Sequence, residues 1–333
     1  IAQLWASVAQ LGADGRYHLR GVVGPDEFHD AYPNAKQPGI DDNTYTNVMA
    51  AWCLVRALDV IERMPQPLLE PLLDQLAITA EDRAHWEELS RKIAVPVQSN
   101  GKILDQFAGF EQLEPFDWEG YRARYDNIER LDNILAAEGD SVNRYQVCKQ
   151  ADVLMLFFLF SEAELGALLQ RLGYQLGPDA YRENFDYYRA RTSNGSTLDR
   201  VVQACLLTRL DRACSWETLT KALGSDLCDV QGGSTREGIH IGAMAGTIDI
   251  FQRAYLGLEI QHDRICLAPQ LPSELPELRM RIRFRMQWLL LHVTQQELHV
   301  CSEAHGDGEA TLSVEGHCYT LTPGAEHHIK LSA

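Results

Sequence analysis

The sequence predicts a mainly α-helical chain that ends in a small antiparallel β-domain. Three observations predict it. Apolar residues recur at helical spacing in one segment after another up to Leu256; beyond Gly257 they alternate with polar residues; and Gly306, Gly308, Gly316 and Pro323-Gly324 interrupt the alternating stretch at short intervals. A chain of 333 residues, 45% of them hydrophobic, can bury a sizeable core. Its length suits a larger helical part, 1–257, and a smaller β part, 258–333.

In chain order, a helix is expected over Ile1 to Leu11. The next runs from Asn43 to Arg63, where Val48, Met49, Trp52, Val55, Leu58 and Ile61 share one face, and Pro65 stops it. Leu68 to Leu76 makes a short helix, and Thr79 with Asp82 reads as a capping pair for Glu81 to Ile93. Ser99 to Trp118 has no period and reads as a long loop over a surface. Helices then return at Val147 to Phe160, at Ser161 to Arg171 with Ser161 and Glu164 as a capping box, and at Pro178 to Arg189. Leu198 to Arg209, Trp216 to Leu223 and Gly238 to Leu256 complete the helical array. In the β part, Arg279, Arg281, Arg283 and Arg285 alternate with Met280, Ile282, Phe284 and Met286, as on a half-buried strand whose arginine face is solvated or, as the less favoured alternative, binds anions. Further strands are expected at Trp288 to Thr294, Leu298 to Cys301, Ala310 to Val314 and His317 to Leu321.

The net charge of −17, from 47 acids against 30 bases, argues against nucleic acid and anionic membrane surfaces as partners and suits neutral substrates such as sugars. Eight dispersed cysteines without paired short spacing read as reduced, mostly buried thiols of a cytoplasmic protein. The longest apolar run, Val153 to Phe160, is far short of the ~20 residues that cross a bilayer. The sequence opens on Ile1, without Met and inside an expected helix, which suggests a fragment.

Four polar segments could carry chemistry. The first is Gly24-Pro25-Asp26-Glu27-Phe28-His29, ahead of Asp42-Asn43-Thr44-Tyr45-Thr46-Asn47. Here Glu27 is either a general acid, its pKa raised by burial or by Asp26, or a partner of Asp26 in capping the following segment. The second is Lys149-Gln150-Ala151-Asp152, whose donors and acceptor suit sugar hydroxyls, or which forms an ion pair at a helix end with Asp152 holding the lysine. The third, Thr192 to Leu198, is a polar turn at a helix start, read as an anion site or as ordinary capping by Ser196 or Thr197. The fourth, Gln231 to Thr247, places His240 among glycines after Arg236 and Glu237, as a ligand-facing or a core histidine. None of the four has the spacing of a metal site or a nucleotide loop.

The order of these segments resembles glycoside hydrolase family 65, the phosphorylases of maltose, trehalose, kojibiose and related α-glucosides. The resemblance implies that the chain is the second part of a six-hairpin (α/α) barrel followed by a small C-terminal antiparallel β-sandwich. It also implies a missing N-terminal half, which carries the family's β-sandwich and a Trp-Asp pair that grips glucose, and a homodimer, common in the family. By residue, Glu27 matches the general acid, Lys149 and Gln150 match residues that hold the donor glucose, and Ser193, Gly195, Ser196, Thr197 and His240 match the phosphate site. The implied reaction is inverting: phosphate attacks the anomeric carbon of an α-linked disaccharide and yields β-glucose 1-phosphate, with inorganic phosphate as co-substrate and no cofactor. Two departures stand out. Thr192-Ser193-Asn194-Gly195-Ser196-Thr197-Leu198 replaces the common Thr-His-Asp-Ser-Ser-Leu, and residues 31–40 look like an insertion beside the acid. A hydrolase on this scaffold would need a second carboxylate about 6.5–9.5 Å from the acid; Glu237, Asp199 and Glu183 are candidates. A non-catalytic carbohydrate-binding or assembly piece is the reading of another class.

Overall fold

A computed structural model describes residues 1–228, 238–261, 264–303 and 309–332. Two units emerge from its internal contacts, Ile1–Asp199 and Arg200–Ala333.

The first unit begins with α1 (Ala2–Val8) and a short hairpin, β1 (Gln10–Leu11) with β2 (Tyr17–His18), so the expected first helix stops earlier than Leu11. The long helix α2 (Thr44–Arg63) is the centre of the unit, with α1, α4 (Ala80–Lys92), α7 (Asp152–Leu159) and α8 (Glu162–Arg171) packed on it. Asn43 starts α2, its side chain accepting from the Thr46 amide, and Val48, Ala51 and Leu54 form the buried stripe. Met64 is already extended, as a residue before proline must be, and α3 (Gln66–Gln75) follows. The capping boxes at Thr79/Asp82 and Ser161/Glu164 are both closed. Short helices α5 (Trp118–Arg124) and α6 (Leu131–Ala137), for which the sequence has no clear period, precede α7, and α9 (Ala180–Arg189) packs against α7.

Two differences from the sequence expectation shape the site. Residues 147–151 are a bridge and a bend rather than helix, because Cys148 bridges in parallel to Thr192: the Cys148 amide donates to Arg191 O at 2.8 Å and Ser193 N to Cys148 O at 2.8 Å. Those bonds are incompatible with a helix, so α7 starts only at Asp152. The stretch after Ser99 is not a surface loop either. Leu104, Asp105, Gln106, Phe107 and Phe110 are buried, and the Gln106 and Asp105 carbonyls accept from the Thr44 amide and hydroxyl. Loop backbone thus pairs with the first turn of α2, which has unpaired amides to offer.

Burial pushes the Asp105 carboxyl up to about 6, against hydrogen bonds from Gln98 Nε2 and Glu111 N that favour its charge. A carboxyl raised in the folded state favours folding most below its unfolded pKa, and that contribution is lost as pH rises towards 6. The loss is at most roughly 3 kcal/mol. We therefore predict that Asp105→Asn flattens the fall in stability between pH 4 and 6 in urea titrations; parallel curves for parent and variant would contradict it.

In the second unit, α10 (Thr197–Leu210) continues from the first, followed by α11 (Arg212–Leu223) and α12 (Ile241–Asp249). The last runs into a π-helical turn, Ile250–Tyr255, in place of one unbroken helix from Gly238. Two four-stranded sheets follow. One has the order β10 (Glu326–Lys330), β7 (Glu297–Ser302), β6 (Gln287–Thr294), β5 (Glu277–Phe284) and is antiparallel throughout. The other has the order β3 (Glu259–Gln261), β4 (Arg264–Leu267), β8 (Ala310–Val314), β9 (His317–Leu321). Its β4 and β8 run parallel, which corrects the expectation of a purely antiparallel domain. Parallel neighbours need a long crossover, and the whole first sheet apart from β10 lies between them in sequence. Burial alternates along β6, β7 and β8, and Gln287 Nε2 reaches the Leu321 carbonyl from one sheet to the other. The arginine strand ends at Phe284; Arg285 takes the turn to β6 at φ 53°, and Arg281 pairs with Glu303 on the solvated face.

Candidate active site

Residues 23–39 form a loop tied at its base by two mutual backbone bonds, Val22 N to Ile40 O at 2.9 Å and Ile40 N to Val22 O at 2.8 Å. The loop enters beside α7, where a Cβ on Gly24 would sit 2.2 Å from Asp152 Oδ2, so only glycine fits. Two acids follow with opposite environments. Asp26 is 3% exposed and its Oδ1 accepts from two successive amides, Lys149 N at 2.6 Å and Gln150 N at 3.1 Å. Glu27 is 67% exposed at its side chain and meets Lys149 Nζ at 2.6 Å. The burial expected of Glu27 therefore falls on its neighbour. The reason is local: Glu27 adopts φ 68°, which turns its side chain away from the direction that Asp26 takes. For a residue with a Cβ this left-handed conformation costs about 1–2 kcal/mol, so the bonds of Asp26 must hold the turn. Neither acid caps the following segment, since the next helix is α2 with Asn43 as its cap.

The segment 148–150 lies between this loop and the Thr192 turn. Lys149 pairs with Glu27, not with Asp152 as the ion-pair reading supposed. Gln150 has both ends engaged: Nε2 donates to the Pro25 carbonyl at 2.9 Å, and Oε1 accepts from Ser196 Oγ at 2.9 Å. One amide side chain thus links the acid-bearing turn to the polar turn at the start of α10.

Behind the acid lies a small polar recess lined by Gly24, Asp26, His29, Asn43, Gln106 and Asp152, with Ile40 and Phe107. Asp152 is completely buried. Its Oδ2 accepts from Asn43 Nδ2 at 2.8 Å, while Oδ1 and both amide atoms of Gln106 have no protein hydrogen bond. Burial first, then the negative charge of Asp26, holds the Asp152 carboxyl well above the ordinary carboxylate range. His29, also buried, donates from Nε2 to the Tyr145 carbonyl at 3.0 Å and faces Asp26 Oδ2 with Nδ1 at 3.4 Å, its ring resting on Phe107 and Phe110. These groups fix the loop from below.

In the Thr192 turn, Ser193 and Thr197 are buried and Asn194 is left-handed at φ 59°. Gly195 passes so close to Glu129 that a Cβ would meet its carbonyl at 2.3 Å. Ser196 Oγ accepts from Leu198 N at 3.3 Å, as the capping reading expected, and Ser193 Oγ accepts from Gly195 N at 3.3 Å. Three of the four segments are thereby joined in the first unit. His240 belongs to the second unit, where Asp226 accepts from its backbone amide at 3.0 Å and lies 2.6 Å from its Nδ1. That pairing orients the ring with Nε2 turned away, and holds the Asp226 carboxyl below its usual range.

Of the candidate second carboxylates, Glu183 is paired with Lys102 at 2.7 Å, Asp199 is buried in the first turn of α10, and Glu237, with Gln231 to Arg236, lies outside the described residues. The sequence reading passed over Asp26, Asn43 and Asp226 as site-forming groups. Asp26 could have been found from its place next to Glu27; Asp226 leaves no signal in linear sequence.

A solved structure of a human-microbiome protein with the provisional name kojibiose phosphorylase superposes on the whole chain with a TM-score of 0.77 at 23% identity, using 45% of its own length, and so shares the fold. An uncharacterized glycosyl hydrolase of Mycobacterium tuberculosis is 45% identical over 97% of this chain and 24% of its own. The trehalose 6-phosphate phosphorylase of Lactococcus lactis is 37% identical over 85% of this chain and 35% of its own, and the kojibiose phosphorylase of Thermoanaerobacter brockii 27% identical over 96% and 39%. The chain thus spans between a quarter and two fifths of the length of these relatives. The profile of the glycosyl hydrolase family 65 central catalytic domain matches residues 1–249 and that of the family's C-terminal domain residues 258–321. This chain therefore belongs to glycosyl hydrolase family 65.

Proposed function

We propose that this chain supplies the general-acid side of an inverting glycoside phosphorylase acting on α-linked glucosyl disaccharides. The observation that carries the reading is the double engagement of Gln150, which joins the Glu27 turn to the Ser196 turn. On this reading Glu27 protonates the glycosidic oxygen and Lys149 positions its carboxyl. Lys149 and Gln150 hold the donor glucose, while Ser193, Gly195, Ser196 and Thr197 in the first unit receive phosphate, whose oxygen attacks the anomeric carbon from the opposite face, and His240 is the phosphate-binding candidate of the second unit. The products are β-glucose 1-phosphate and the freed sugar. Phosphate is its own nucleophile, so no base is needed, and no cofactor is invoked.

The same proposal takes the helical part, 1–257, as part of a six-hairpin barrel, followed in sequence by the β part, 258–333, as a sandwich. It has the remaining grip on glucose come from residues of a longer protein N-terminal to this chain, in a cytoplasmic homodimer. The relatives' names make trehalose 6-phosphate and kojibiose the first substrates to try. The test is product analysis for the full-length protein with a panel of α-glucobioses and their 6-phosphates, with and without inorganic phosphate. Release of β-glucose 1-phosphate only with phosphate is expected. Free glucose at an undiminished rate without phosphate would replace this reading with a hydrolase, in which Asp199, Glu183 or Glu237 activates water. Binding without turnover would leave a carbohydrate-binding piece.

A further inference from the structure

We infer that the exposed face of the β7–β10 pair is a binding site for a transition-metal ion of the Zn2+ class, held by His299, His328 and Glu326. The strand register places the ligands. His299 stands directly opposite His328, and Cys301 opposite Glu326, so these four side chains occupy a square on one face of the ladder. The face is the open one, since Leu298, Val300 and Ile329 point to the buried side. The two imidazoles lie flat on each other, ring centroids 4.1 Å apart and planes within 8°.

The donor atoms converge. One nitrogen from each histidine and one Glu326 oxygen lie within 4.8 Å of one another. His299 Nε2 is shielded and makes no hydrogen bond, with Glu326 Oε2 at 3.8 Å. The other Glu326 oxygen is 3.8 Å from Cys301 Sγ, so a fourth donor stands at the edge of the group. Two nitrogens bound to one tetrahedral Zn2+ are roughly 3.3 Å apart, given Zn–N bonds of about 2.0–2.1 Å. Imidazole lone pairs lie in the ring plane, so the two parallel rings cannot both bind one ion as they stand; binding requires the exposed His328 ring to turn out of the stack and the exposed Glu326 side chain to swing in. Two imidazoles and a carboxylate select Zn2+, Cu2+ or Ni2+ over Mg2+ or Ca2+, which prefer all-oxygen sites. The row also contains its own control: His292 is opposite His299 on β6, but its Nε2 is engaged by Glu277 at 2.7 Å. A bound ion would clamp β10, the edge strand, to β7.

The experiment is calorimetric titration of the full chain, stripped with EDTA, with ZnCl2 alone. One saturable site in the micromolar range is expected, together with a rise in melting temperature. His299→Ala and His328→Ala should each weaken binding more than tenfold and abolish the rise, and Glu326→Gln should weaken it less. His292→Ala and Cys301→Ser should bind within a few-fold of the parent. The inference is overturned if no saturable binding is seen, if binding survives unchanged in His299→Ala and His328→Ala, or if it is lost in Cys301→Ser but kept in His328→Ala.

Discussion

Replacing Glu27 by Gln is expected to lower turnover of a natural disaccharide by about a hundred- to ten-thousand-fold, the range for removal of a general acid. The fold should be unchanged, because the side chain is 67% exposed and its ion pair with Lys149 is of the surface kind that contributes little stability. Proton donation is separated from mere positioning by the leaving group. A glucoside whose aglycone departs as a stable anion needs no proton, so Glu27→Gln should keep most of the parent rate on a dinitrophenyl α-glucoside while losing it on the disaccharide. Equal losses on both substrates would show that Glu27 positions rather than protonates. Unchanged turnover of the disaccharide would remove it from the mechanism.

The second large effect is expected at Asp26. Its carboxylate accepts from the two amides that start the Lys149–Gln150 segment and is itself buried. Asp26→Ala leaves both donors without their partner, at about 1–3 kcal/mol each, so a stability loss of about 2–6 kcal/mol is expected by urea denaturation. Asp26→Asn retains an acceptor of the same shape but gives up the charge. It should stay folded and lose kcat with little change in KM, because the Glu27 turn, left-handed at its acid, depends on those bonds for its position. Asp26→Asn with parental kcat would reduce Asp26 to a structural role.

Much of the fold was legible because it rests on local rules. Asn43, Thr79 with Asp82 and Ser161 with Glu164 announce helix starts by side chains that bond amides three residues on. The arginine alternation announces a strand by a period of two. Where the reading failed, a distant partner had overruled the local pattern. Residues 147–151 run directly into the apolar stretch Val153 to Phe160 and so read as the start of its helix, but Cys148 is taken by the backbone at residues 191–193. The stretch after Ser99 has no period because its Phe107 and Phe110 fill a gap beneath His29 rather than line one face of an element. The pairing of β4 with β8 leaves no trace in sequence, since the two strands are separated by most of another sheet.

The same division runs through the candidate site. Family membership was determined by the sequence, which also singled out Glu27, Lys149, Gln150 and the polar turn from Thr192 to Leu198 as candidates, because both depend on residue types in a fixed order. Tertiary structure alone decided which of two adjacent acids is buried, that Lys149 faces Glu27 and not Asp152, and that Gln150 bonds both turns. The physical reason is that burial and hydrogen-bond partners depend on backbone from elsewhere in the chain. A single positive φ at Glu27 is enough to send two neighbouring carboxylates into opposite environments.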